Sequence, residues 1–111
     1  MQSFLNKTAF ITGGAGGIGT ALARELLERG TSVVIADLDI DRARSVAHAI
    51  DSGGRALAVH LDVTNAESWR AARGSAEQTF GHVDILCSNA GVGYTARWMR
   101  LPLTHGGGYT K

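Results

Sequence analysis

The stretch Phe10-Ile11-Thr12-Gly13-Gly14-Ala15-Gly16-Gly17-Ile18-Gly19 decides the fold. An apolar strand runs into a glycine turn, and the turn runs into a helix. Such a turn offers bare backbone N–H groups and a helix N-terminus to a pyrophosphate. The glycines have separate physical tasks: tight or left-handed backbone, close approach of a ligand, and close packing of helix on strand. One glycine motif alone is weak evidence, and three further signals follow it.

On either side of this turn the pattern alternates strand and helix. Thr8 to Thr12 is continuously apolar, as a strand buried on both faces should be. Ile18 to Arg29 is predicted helical, with Ile18, Ala21, Leu22, Leu26 and Leu27 as its apolar stripe and Gly30 as its stop. Ser32 to Asp37 is a second buried strand. Asp39 can cap a helix over Asp41 to Ile50, which Gly53-Gly54 ends. Arg55 to Leu61 is the third strand. Thr64-Asn65-Ala66-Glu67 spells a capping box opening a helix that runs to Phe80 before Gly81. Val83 to Ser88 is the fourth strand. Helices between strands of this length imply βαβ units, and hence an α/β, doubly wound parallel sheet of the Rossmann kind with about four strands.

Bulk properties narrow the function classes. At 111 residues the chain is one domain or part of one, and 44% hydrophobic content suits a globular core. A net charge of +1 without a basic run calls for neither nucleic acid nor an anionic membrane. No window approaches the roughly 18 apolar residues of a membrane span, and no signal-peptide pattern opens the chain. The single Cys87 excludes an internal disulfide framework and reads as buried filler within a strand. A cytoplasmic location is the expectation. His48, His60, His82 and His105 show no ligand pairing, so no metal is expected.

Asp37 closes the second strand, eighteen residues after Gly19. In a doubly wound sheet its carboxylate lies beside an adenosine ribose and accepts from the 2′ and 3′ hydroxyls. The same charge repels a 2′-phosphate. No Lys or Arg stands in the turn or directly after Asp37, and Asp39 and Asp41 add to the repulsion. NAD is therefore favoured over NADP. A plain helix cap is the lesser reading of Asp37, and the two roles are compatible. Leu61-Asp62-Val63-Thr64 and Ser88-Asn89-Ala90-Gly91-Val92 end the third and fourth strands, at the edge where open α/β sheets bind ligands.

With these segments in place, the sequence resembles the classical branch of the short-chain dehydrogenase/reductase family over about residues 5 to 95. The matching motifs are Thr12-Gly13-x-x-x-Gly17-Ile18-Gly19, Asp37, Asp62-Val63 and Asn89-Ala90-Gly91. The resemblance implies that Gly13, Gly17 and Gly19 shape the pyrophosphate turn and that Ile18 sits near the cofactor. It implies that Asp62 and Val63 bracket the adenine, with Asp62 accepting from its exocyclic amine. Asn89 would tie adjacent strands, and Ala90 and Gly91 would let a ribose approach. Gly14 and Leu38 join the cofactor-binding set. Ser88 departs mildly from a second Asn common in the family. A phosphate-binding P-loop would need a Lys that this turn lacks. The extended, epimerase-like branch fits the glycines but not Asn89-Ala90-Gly91, and a methyltransferase using S-adenosylmethionine is the remaining rival.

The family's chemistry resembles proton relay through a Tyr and a Lys one helical turn later, with a Ser orienting a substrate carbonyl while nicotinamide carries hydride. No such set occurs here, so no catalytic residue is assigned. Tyr109-Thr110-Lys111 has the wrong spacing, because side chains two apart diverge by about 200° on a helix. Tyr94 has no Lys at helical spacing either. The expectation is a cofactor-binding half-domain over residues 1–95, with an alcohol or carbonyl substrate only in a longer form. A regulatory NAD-binding module and a non-functional fragment are the alternatives.

Residues 96–111 form an aberrant tail without helical period. Permitted codon choices allow residues 97–111 to be re-read in a shifted frame as a capped amphipathic string like the family's next helix. A frameshift near Arg97 is therefore the expectation, with a divergent tail or an incomplete gene model as the alternatives. It would leave the fourth strand as an open edge, remove most of the family's homo-oligomer interface, and give a marginally stable chain that binds NAD weakly.

Overall fold

The computed structural model describes residues 3–51, 53–88 and 98–99. Strand β1 spans Thr8–Thr12, α1 Gly17–Glu28, β2 Ser32–Asp37, α2 Ile40–Ile50, β3 Ala56–His60, α3 Ala66–Phe80, β4 Ile85–Ser88 and β5 Trp98–Met99. The sheet order is β3-β2-β1-β4-β5. The first four strands are parallel, and β5 lies antiparallel to β4. The strand order reverses at β1, which has β2 on one side and β4 on the other. That reversal is where ligands of such sheets bind.

The continuous apolar runs read from the sequence are buried on both faces. Ala9, Phe10 and Ile11 of β1 and Val33 to Ala36 of β2 are fully buried. Alternation then divides their side chains between two layers. Ala9, Ile11, Val33, Ile35 and Cys87 pack with Ala23, Leu26 and Leu27 of α1 and Ala43 and Ala47 of α2. Phe10, Val34, Ala36, Val59 and Leu86 pack with Ala72 and Ala76 of α3. The doubly wound architecture follows directly from that division.

Three local expectations need correction. The buried stripe of α1 is Gly19, Ala23, Leu26 and Leu27, whereas Ala21 is exposed and Ile18 is 75% exposed. Ala23 stands four residues after Gly19 and four before Leu27, so the true seam is turned away from Ile18. The capping box does not form. Asn65 is the N-cap of α3 and accepts from the Ser68 N–H at 2.9 Å, because Thr64 donates its hydroxyl to Asp62 instead. The β4 edge is also not fully open: Trp98 and Met99 pair with Cys87 and Leu86. Asn89, Ala90, Gly91, Tyr94, His105, the boundary drawn after residue 95 and the rest of the tail lie outside the described residues.

Candidate functional site

The loop between β1 and α1 is built by backbone hydrogen bonds that its glycines permit. Gly13 has φ 65°, a left-handed conformation that a side chain would strain. Gly14 N–H extends the sheet ladder to Ala36 O at 3.1 Å, and Gly16 N–H turns back to Gly13 O at 3.2 Å. The Thr20 hydroxyl donates to Gly14 O at 3.2 Å and ties the first helical turn to the loop. A Cβ at Gly14 would stand 2.9 Å from Ile35 Cγ2, and one at Gly19 only 2.7 Å from Gly13 O. These two positions are glycine because backbone and neighbours leave no room. A Cβ at Gly17 would meet nothing within 4 Å. The protein itself imposes no steric demand for glycine there.

The three helices differ at their N-termini. Asp39 caps α2 by accepting from Arg42 N–H, and Asn65 caps α3. The N-cap of α1 is Gly16, which offers no side-chain bond, and its first turn holds no acidic residue. The first bond of the α1 ladder runs from Thr20 N–H to Gly16 O at 2.9 Å. The N–H groups of Gly17, Ile18 and Gly19 precede it, at the positive end of the helix dipole.

Asp37 ends β2 beside this loop. Its Oδ2 accepts from Ala15 N–H at 3.2 Å, and its Oδ1 from Asp39 N–H at 3.1 Å. After β3, Asp62 Oδ1 accepts from the Thr64 hydroxyl at 2.7 Å and the Thr64 N–H at 3.0 Å. The Thr64 hydroxyl, then its N–H, hold the Asp62 carboxyl below the usual carboxylate range. Slight burial opposes the shift, and His60 nearby assists it. The Ser68 hydroxyl accepts from Asp62 N–H at 2.8 Å and pins the same loop to α3.

Four large apolar side chains are noticeably exposed among the described residues: Leu5, Ile18, Leu38 and Val63. Three of these four belong to the predicted site, at the carboxyl ends of β1, β2 and β3. Each follows a strand of the parallel sheet at the edge where the glycine loop lies. The structure thus sets Gly13, Gly14, Gly17, Ile18, Gly19, Asp37, Leu38, Asp62 and Val63 along one edge. The sequence reading missed the supports: the Ala15–Asp37 bond, Thr20 on Gly14, and Ser68 on Asp62. Each joins residues separated by turns whose geometry leaves no periodic trace.

Other features do not build a second centre. A groove of about 760 Å³ follows the free side of β3 between α2 and α3, and Asp62 is its one residue from the predicted site. No group of three or more His, Cys, Asp or Glu able to hold a metal occurs among the described residues. No helix among them is long and apolar enough to cross a membrane. Cys87 is buried, and desolvation raises its thiol to about 12.

A glycine-cradled, uncapped helix at the switch point of a parallel sheet, with an acid ending the next strand, defines a dinucleotide-type Rossmann half. A sequence model of the short chain dehydrogenases matches residues 7–104, and the chain belongs to that family. It is similar to trans-4-hydroxycyclohexanecarboxylate dehydrogenase of Sinomonas cyclohexanicum, 47% identical over 93 residues, covering 78% of this chain and 36% of that protein. The uncharacterized oxidoreductase YuxG of Bacillus subtilis is 44% identical over 92 residues, covering 80% of this chain and 13% of that one. Among solved structures, 3-ketoacyl-(acyl-carrier-protein) reductase from Brucella melitensis complexed with NADH superposes with TM-score 0.71 at 40% identity. That match covers 76% of this chain and 34% of that one. The chain therefore spans about a third or less of the length of these relatives.

Proposed function

We propose that this chain supplies the adenosine-diphosphate half of a nicotinamide dinucleotide site in an oxidoreductase, with NAD preferred over NADP. The observation that carries the reading is the Asp37 carboxylate, set against the glycine loop at the end of β2. It accepts from both ribose hydroxyls of NAD and repels a 2′-phosphate. The uncapped N–H groups of Gly17 and Ile18 take the diphosphate, and the open space at Gly17 lets it approach. Leu38 and Val63 flank the adenine, while Asp62 keeps Oδ2 for its exocyclic amine. By the family resemblance, Asn89 would tie adjacent strands, and Ala90 and Gly91 would let a ribose approach.

When bound, nicotinamide gives or takes the hydride of an alcohol/carbonyl interconversion. That turnover belongs to a protein of the relatives' length, acting on a small alcohol or carbonyl compound. No Ser, Tyr and Lys set in the family's pattern occurs in these 111 residues, so this chain alone binds without turnover. A cytoplasmic setting suits the lone thiol of Cys87. Calorimetric titration with NAD and NADP tests the proposal. Tighter binding of NAD is expected; failure of both, or preference for NADP, overturns it.

A further inference from the structure

We infer that Asp37 is a positioning residue for the glycine loop as well as an acceptor for the ribose: its carboxylate latches the loop in the shape that receives a diphosphate. The inference rests on the cofactor reading above and extends it to a group that does not touch the sugar. Three consecutive loop amides are held in turn. Gly14 N–H goes to Ala36 O, Ala15 N–H to Asp37 Oδ2, and Gly16 N–H to Gly13 O. The middle bond is the one supplied by a side chain, and it anchors a segment whose flanking glycines give it wide backbone freedom. Gly17, Ile18 and Gly19 follow at once, so the direction of their N–H groups depends on where Ala15 is held.

The carboxylate suits this double duty. Oδ2 holds Ala15 and Oδ1 holds Asp39, and each oxygen keeps a second lone pair for a ribose hydroxyl. An Asn at this position has the same shape but one acceptor oxygen. Its NH₂ would face one of the two backbone N–H groups, so one bond must break. Replacing Asp37 to admit a 2′-phosphate therefore loosens the loop along with the specificity.

The test is calorimetric titration of the full chain and its Asp37→Ala variant, which removes both acceptor oxygens, with ADP and with dideoxy-ADP, which lacks both ribose hydroxyls. The latch requires the variant to lose affinity for both nucleotides, by about tenfold for the dideoxy form. Amide exchange by NMR should show Ala15 N–H protected in the parent and exposed in the variant. The Val33 N–H, bonded to Arg55 O at 2.8 Å, should stay protected in both and report an intact fold. Unchanged dideoxy-ADP binding with weakened ADP binding would mean that Asp37 acts through the sugar alone, and the inference falls. Should the variant unfold, scalar coupling between the Ala15 nitrogen and the Asp37 carboxyl carbon in the parent decides: its absence overturns the latch. Should the parent bind neither nucleotide, the cofactor reading falls, and the latch stands or falls on that coupling and on Ala15 exchange.

Discussion

The indole N–H of Trp69 donates to the carbonyl of Val63 at 3.0 Å, so the first turn of α3 holds the loop that follows β3. The same ring stacks on Phe10, with centroids 5.8 Å apart and planes at 27°. A side chain of α3 thereby connects the buried face of the central strand to the loop assigned to the adenine. Trp69→Phe keeps the stack and loses the hydrogen bond. It should cost about 1 kcal/mol of stability and a few-fold in AMP affinity. Trp69→Ala loses both contacts and should cost about 2–3 kcal/mol, discounted from full burial because the ring is half-buried. Urea unfolding and calorimetry measure the two effects.

Gly17 and Gly19 should respond oppositely to the same substitution. Gly19→Ala drives a methyl against Gly13 O and should destabilise by about 1–3 kcal/mol. Gly17→Ala meets open space at the first position of α1, so stability should hold or rise by about 0.5 kcal/mol. Its NAD affinity should nevertheless fall by about tenfold or more, because the methyl occupies the diphosphate's approach. Urea unfolding paired with NAD titration separates these outcomes.

Arg55 clamps two backbone carbonyls, with Nη1 3.1 Å from Thr31 O and Nη2 3.1 Å from Leu27 O. The fork joins the end of α1 to the approach of β2, and an ammonium cannot reproduce its planar geometry. Arg55→Ala should cost about 1–3 kcal/mol in urea unfolding, and Arg55→Lys should recover less than half of that.

Asp62 makes an acid-side contribution. Its lowered value means that the folded state binds its proton more weakly than the unfolded chain. The stabilisation is present above the ordinary value of 3.8 and is lost as pH falls through the lowered one. Thr64→Val removes the hydroxyl, the largest cause, and should return the Asp62 titration toward 3.8. Carboxyl-carbon NMR of the labelled side chain follows that midpoint.

Cys87 gives the alkaline counterpart. Burial lifts its thiol from 9.0 to about 12, so folding keeps it protonated where the unfolded chain would ionise. The associated stabilisation is complete below pH 9.0 and is lost as pH rises toward 12. At pH 8 a thiol reagent should label the native chain far more slowly than the chain in urea. Equal rates would contradict the buried position.

The sequence carried the architecture because its buried strands are unbroken apolar runs and its glycines punctuate them. Residues 8–12 and 32–37 needed no correction, and Asp39 caps α2 as its residue type suggests. The errors arose where two local bonds compete. Thr64 could cap α3 or close a turn on Asp62, and the residue string does not rank those options. Ile18 looked like part of a buried stripe because apolar spacing is the same for core and for ligand surface. The Ala15–Asp37 bond was invisible because it depends on β1 and β2 being neighbours in register, Thr12 opposite Ala36.

The bare start of α1 would couple nucleotide binding to the order of this helix. Its two companions carry their own terminators, whereas this helix leaves its leading amides to be satisfied from outside. A nucleotide would act as the missing residue of the helix, so its arrival should stiffen the first turn before any remote part of the chain responds.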